Sequence, residues 1–207
     1  MNTRVKICGI TRVEDMAVCA RVGADAIGLI FYPPSPRCVD VGRAQEIVRR
    51  LPPFVTRVGL FVNPAVETVE AAQAALHLDL LQFHGDEPAE FCARFGIPYL
   101  KAVRVQPGLD LVQYAARYRH AQGLLLDAFV AGAPGGTGRT FDWALIPPDL
   151  PLPVVLSGGL TPDNVGEAIE TVKPWAVDVS SGVEAAKGIK DAAKIAAFMQ
   201  GVRNARV

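Results

Sequence analysis

Cys8 closes the run Val5-Lys6-Ile7-Cys8-Gly9-Ile10-Thr11. A thiol at a strand end is usually inert core, and becomes a base or nucleophile only in an accessible, electropositive setting. Asp127 follows Leu124-Leu125-Leu126, which puts a carboxyl group at the rim of an apolar surface and suits a general acid as well as a plain helix cap. Two turns, Ser157-Gly158-Gly159-Leu160 and Ser180-Ser181-Gly182-Val183, have the composition of a phosphate cradle. Their glycines let backbone N–H groups approach an anion, and their serines add hydroxyl donors. Arg37 sits in Pro33-Pro34-Ser35-Pro36-Arg37, where the prolines limit loop freedom and hold a guanidinium ready for a carboxylate. Gln82 and His84 alternate onto the inward face of a short strand as candidate substrate contacts, with His84 at the rim, where a lone histidine serves as a structural or substrate contact more often than as a catalyst. Gly135-Gly136-Thr137-Gly138 reads as a lid that closes over a ligand, or equally as a disordered loop.

These residues need a frame that brings strand ends together. Apolar runs with β-branched residues predict strands at Val5–Cys8, Asp25–Phe31, Val55–Val62, Asp79–Phe83, Tyr99–Val103, Gly123–Asp127, Val154–Ser157 and Ala176–Val179. Between them, capping residues or early prolines precede helical spacing: Thr11 before Arg12–Val22, Asp40 before Val41–Leu51, Asn63-Pro64 before Ala65–Leu76, and Asp86-Glu87-Pro88 before Ala89–Phe95. Asp110–Tyr118, a single weak turn at Asp142–Leu145, Thr161-Pro162 leading to about Thr171, and Ile189–Gln200 complete the series. Eight βα units imply a parallel sheet with right-handed crossovers, and favour a minimal (β/α)₈ TIM barrel over an open doubly wound sheet. One domain over residues 1–207 is expected. In such a barrel the active site lies at the C-terminal strand ends, and phosphate binds in the loops after strands seven and eight. Those are the loops that carry the two glycine turns.

Composition narrows the partners. Lys plus Arg and Asp plus Glu both number 21, so no net field would hold nucleic acid or an anionic membrane, and an anion must be bound locally. The four cysteines lack disulfide or zinc spacing, which predicts free thiols in a reducing compartment. The first residues run straight into a strand without an apolar leader, and no apolar run is long enough for a bilayer. A cytoplasmic enzyme acting on a small molecule is expected. The rim has no metal-type cluster and no dinucleotide or P-loop fingerprint, so neither metal nor cofactor is expected.

Seven blocks in order carry a resemblance: Lys6 to Thr11, Gly59-Leu60-Phe61, Gln82 to Glu87, Leu126-Asp127, Gly135 to Trp143, Ser157 to Leu160, and Asp178 to Glu184. Together they resemble the N-(5′-phosphoribosyl)anthranilate isomerases of tryptophan biosynthesis, from one end of the chain to the other. Ala185-Ala186-Lys187 departs from the family outside the motif cores. The resemblance implies an Amadori rearrangement of an aminoaldose to 1-(2-carboxyphenylamino)-1-deoxyribulose 5-phosphate, with a phosphorylated sugar–anthranilate as substrate and a monomer or homodimer as the working form. It implies that Asp127 is the general acid and Cys8 the general base. It also implies that Arg37 holds the anthranilate carboxylate and that Gly158, Gly159, Ser180, Ser181 and Gly182 hold the phosphate.

Lys6 alternates onto the face of Cys8, and Asp178 should face it from the neighbouring strand of a closed barrel. The two are expected to pair inside, leaving positive potential that draws the Cys8 thiol toward neutrality. Rival readings are indoleglycerol-phosphate synthase, a metal-dependent pentose-phosphate epimerase, and a non-catalytic phosphate-binding barrel. The synthase would need a lysine acid at a strand end, and the epimerase several rim histidines and carboxylates. Fold alone does not remove the third.

Overall fold

Period-two alternation sends one set of each strand's side chains inward and the other outward. Here the alternation closes a ring. β1 (Arg4–Cys8), β2 (Ala26–Ile30), β3 (Thr56–Phe61), β4 (Leu80–Phe83), β5 (Tyr99–Val105), β6 (Gly123–Ala128), β7 (Val154–Leu156) and β8 (Ala176–Val179) pair in parallel, each with the next in the chain. β8 returns to β1 in a register that sets Asp178 directly beside Lys6. The computed structural model describes residues 3–128 and 141–206. The expected eight-stranded barrel is therefore formed, with strand limits within two residues of the pattern read from the sequence.

Helices clothe the ring: α1 (Val13–Val22), α2 (Val41–Val48), α3 (Val66–Leu76), α4 (Ala89–Ala93), α5 (Leu111–Arg117), α6 (Val165–Val172) and α7 (Ala192–Asn204). Between β6 and β7 the described residues form only the 3₁₀ turn Trp143–Leu145, as the weak pattern there suggests. The outward set (Ile7, Ile27, Phe61, Leu81, Phe83) meets the helices in one large core with Ile47, Leu76, Ile169 and Phe198. Inside the ring Leu100, Ala102, Leu125, Val155 and Ala176 form one cluster, and Cys8, Ile30 and Leu60 form another at the C-terminal strand ends. The first plugs the barrel. The second floors the site.

Several helix starts differ from expectation because the capping residue is used elsewhere. Asp40 and Asp110 cap as expected, their carboxylates accepting from the Arg43 and Gln113 N–H groups. Thr11 does not cap α1; its hydroxyl donates to the Gly188 carbonyl, 177 residues away, and Arg12 takes the cap position without a side-chain bond. Asn63 adopts a left-handed φ of 45° and accepts from the Asp86 N–H, so α3 starts only at Val66. Helix α6 starts at Val165 because Asn164 accepts from the Thr161 N–H and donates to the Gly159 carbonyl, bracing the glycine turn. The largest difference is at Ile189. That residue and Lys190 form strand β10 (Ile189–Lys190), paired antiparallel with β9 (Glu184–Ala186), and Asp191 caps α7 through the Ala193 and Lys194 N–H groups. Gly188 turns this hairpin at a φ of 78°, a conformation that suits glycine.

The four cysteines are free thiols, as expected. No helix among the described residues is long and apolar enough to cross a membrane.

Candidate active site

At the C-terminal ends of the strands the described residues surround a cavity of about 350 Å³. Cys8 lies on its β1 side, and Arg37, Gln82, His84 and Asp127 line it from the ends of β2, β4 and β6. Ser157, Gly158, Gly159, Ser180 and Ser181 close it on the β7–β8 side. All the site residues singled out in the sequence converge here, with two qualifications. Gly182 stands behind the wall rather than in it, and the Gly135, Gly136, Thr137 and Gly138 lid lies outside the described residues.

Strand alternation aims both chemical groups into the cavity. Gly28, on β2, makes room for Cys8: a Cβ there would stand 2.7 Å from its Sγ and 3.1 Å from Lys6 Nζ. Lys6 and Asp178 form the expected interior pair, Nζ to Oδ1 at 2.8 Å, and Ser157 Oγ donates to the second carboxylate oxygen at 3.4 Å. Burial would lower the Lys6 ammonium, but Asp178 and then Cys8 more than offset this, so Lys6 is held above its usual range and stays charged. The Cys8 thiol moves opposite to the sequence-based expectation. Burial pushes it up, and the opposing pull of Lys6 does not cancel that push because Asp178 works against Lys6.

Asp127 is oriented at both oxygens. Oδ1 accepts from the Ala128 N–H at 2.8 Å, and Oδ2 lies 3.2 Å from His84 Nε2. Gln82 Nε2 lies 3.0 Å from His84 Nδ1. With that amide donating, a neutral His84 carries its proton on Nε2 and presents it to Asp127. Gln82 and His84 therefore fix the carboxyl rotamer. Gly158 and Gly159, both left-handed at φ 84° and 66°, bring the next turn against Asp127. A Cβ on Gly158 would stand 2.8 Å from Asp127 Oδ1 and 2.5 Å from the Ala128 nitrogen. After β8 the chain makes a 3₁₀ turn, Ser181–Val183, the kind of short extra helix that barrels use beside a phosphate.

Two buried charge clusters are not legible in the sequence. Arg37 is engaged by Glu184, 147 residues away, and Glu184 by Lys190. Glu184 ends the block Asp178 to Glu184, but only the β9–β10 hairpin brings it to Arg37. On the other side of the site Lys101, fully buried, donates to the carbonyls of Phe83 and Gly85 and to Glu87 Oε2. Glu87 in turn accepts from the Asn63 and Gly85 N–H groups. This cluster fastens the loops after β3 and β4, including the one that carries His84. Lys101→Met is expected to lower the unfolding free energy by ~3–5 kcal/mol, because Glu87 would keep a buried charge without its cation. The urea midpoint measures it, and an unchanged midpoint would refute the role.

Similarity to known proteins gives the family. Residues 5–201 match the family model described as N-(5′-phosphoribosyl)anthranilate (PRA) isomerase. An N-(5′-phosphoribosyl)anthranilate isomerase of Pseudomonas aeruginosa is 64% identical over 203 residues, 98% of this chain and 96% of that one. The crystal structure of the Thermotoga maritima phosphoribosyl anthranilate isomerase superposes with a TM-score of 0.90 at 44% identity, covering 97% of this chain and 98% of that one. A further solved isomerase, in complex with reduced 1-(o-carboxyphenylamino)-1-deoxyribulose 5-phosphate, gives a TM-score of 0.87 at 43% identity over the same shares. A match of this length and identity leaves no competing assignment among the barrels considered above: the chain belongs to the N-(5′-phosphoribosyl)anthranilate isomerase family.

Proposed function

We propose that this chain performs the family's aldose–ketose isomerisation, the Amadori rearrangement of N-(5-phosphoribosyl)anthranilate in tryptophan biosynthesis, with Asp127 as acid and Cys8 as base. The observation that carries the reading is that Cys8 and Asp127 open on one cavity, bounded by the two Ser/Gly turns on one side and by Arg37 on another. The substrate bears two anions, and the cavity offers one place for each. The phosphate goes to the Gly158–Gly159 and Ser180–Ser181 turns. The anthranilate carboxylate goes to Arg37.

Asp127 in its acid form gives its proton to the ribose ring oxygen as the C1′–O bond breaks, leaving an iminium at C1′. His84 and the Ala128 N–H then hold the carboxylate that remains. The iminium acidifies C2′, so a modest base is enough. Cys8 thiolate takes the C2′ proton, the electron pair becomes the C1′–C2′ double bond of an enolamine, and tautomerisation at C1′ gives the ketone. The Lys6 ammonium beside Cys8 favours the thiolate. Every step is a proton transfer, so no redox cofactor takes part.

The single barrel works in the cytoplasm as a monomer or homodimer, on a small phosphorylated substrate and not on nucleic acid. The net balance of 21 basic and 21 acidic residues supports a locally bound anion. The direct test is the loss of the substrate's anthranilate fluorescence on adding the protein without metal or nucleotide. Turnover is expected, and its absence would sink the reading.

A further inference from the structure

The guanidinium of Arg37 is already half occupied. Nε donates to Glu184 Oε1 at 2.7 Å and Nη2 to Oε2 at 2.8 Å, a buried bidentate pair along one edge of the fork. The other edge, between Nη1 and Nη2, has no partner among the described residues, and Arg37 lines the cavity. A planar group with five donors can serve two carboxylates at once, one on each edge. Glu184 takes the first edge. The second suits a carboxylate brought in by the ligand.

Glu184 is itself fixed on several sides. Its Oε1 accepts from Lys190 Nζ at 3.0 Å and from the Gly188 N–H at 3.3 Å, and its carbonyl accepts from Lys194 Nζ at 2.8 Å. Burial alone would push the Glu184 carboxyl up, but Arg37 and Lys190 together hold it below the usual range. Lys190 Nζ also donates to the Ser180 carbonyl at 3.0 Å and lies 3.4 Å from the Ser180 hydroxyl. The stem of Arg37 passes over Gly9, where a Cβ would stand 2.6 Å from Arg37 Cδ and 3.1 Å from Ser180 Oγ. One hairpin therefore links the loop after β2, the turn after β8 and the end of β1. Two cations share one carboxylate, which leaves one positive charge to meet an anion.

We infer that Glu184 and Lys190 are positioning residues: they aim the open edge of Arg37 at the carboxylate of the arylamine and set its distance from the phosphate-side turn at Ser180. The inference rests on the proposed function. Its consequence is specificity. A ring carboxylate is recognised by an arginine already held in place, so the ligand does not have to order a flexible side chain. A substrate without that carboxylate gains nothing from the hairpin.

Binding and kinetics separate this role from a merely structural one. The ligands are reduced 1-(o-carboxyphenylamino)-1-deoxyribulose 5-phosphate and its aniline counterpart, which keeps the phosphate and lacks the carboxylate. Glu184→Gln is expected to weaken the first by ~10-fold and to leave the second within about 2-fold of wild type, the size of one misaligned charged contact. In turnover of the anthranilate substrate, KM should rise by a similar factor while kcat stays within about 3-fold. Lys190→Gln should show the same selectivity, which keeps the test decisive should Glu184→Gln fold poorly. Equal weakening of both ligands, or of neither, would overturn the inference. Wild-type protein that turned over no anthranilate substrate would instead overturn the proposed function on which it rests.

Discussion

Cys8→Ala and Asp127→Asn are each expected to lower kcat by at least ~10², the range for a positioned general acid or base. The two losses have different causes. Asn at 127 preserves the shape and still accepts from the Ala128 N–H, so the cavity stays formed while the transferable proton is gone. Ala at 8 leaves the Lys6–Asp178 pair intact and removes the only thiol lining the cavity among the described residues. A wild-type rate in either variant would refute that residue's role, and circular dichroism with retained binding of the reduced aminoketose would rule out unfolding as the cause.

The pH profile adds a signed test of Cys8. Burial holds its thiol above the ordinary value despite Lys6, so at neutral pH the base is mostly protonated. As the proposed base, Cys8 would accept the C2′ proton only in its thiolate form. Because the proposed acid must hold its proton at the same time, the competent form carries a proton on Asp127 and none on Cys8, so kcat/KM should stay level through neutral pH and fall about tenfold per unit only above the titration of the thiol. A fall that sets in below the ordinary thiol range would count against a buried thiol as the base. Lys6→Met should lower the plateau and shift the alkaline fall to higher pH, since it removes the charge that favours the thiolate and leaves that of Asp178.

The second large effect is expected at a glycine that does not touch the cavity. Gly182 packs against the loop after β7 so closely that a Cβ would collide with the Leu160 carbonyl and stand 3.2 Å from Thr161 Cα. Both obstacles are backbone, so neither can rotate away. Gly182→Ala must push apart the turns after β7 and β8, and a displacement of about 1 Å at such a site costs on the order of 10²-fold in kcat/KM. The loss should appear mainly in KM, and inorganic phosphate should lose inhibitory strength in parallel. An Ala variant with wild-type KM would show that the two turns do not need this spacing.

Gly182 and Arg37 also show how far the sequence could be read. Gly182 is visible as part of a Ser/Gly turn, so its place at the C-terminal rim is legible from composition and from the loop it occupies. That its role is to let two loops touch, rather than to face the ligand, depends on the Leu160 carbonyl, which no spacing along the chain reveals. Arg37 is legible as a stiffened arginine after β2. Its partner Glu184 is not, because the pairing spans 147 residues and runs through a hairpin whose second strand has the apolar spacing of a helix start.

The sequence by itself determined what depends on neighbours along the chain. Period-two runs fixed eight strands, Asp40 and Asp110 fixed two helix starts, and strand-end position brought Cys8, His84, Asp127 and both glycine turns to one rim. Barrel closure then made the Lys6–Asp178 pair predictable, since β1 and β8 must be adjacent in a ring of eight. Only the tertiary structure decided what depends on burial and on distant partners. It gave Thr11 to Gly188 instead of a helix cap, set Lys101 and Glu87 under the loops after β3 and β4, and closed Glu184 and Lys190 on Arg37. It also reversed the expected shift at Cys8, for a physical reason: burial strips the thiol of water, and the help of Lys6 is offset by Asp178.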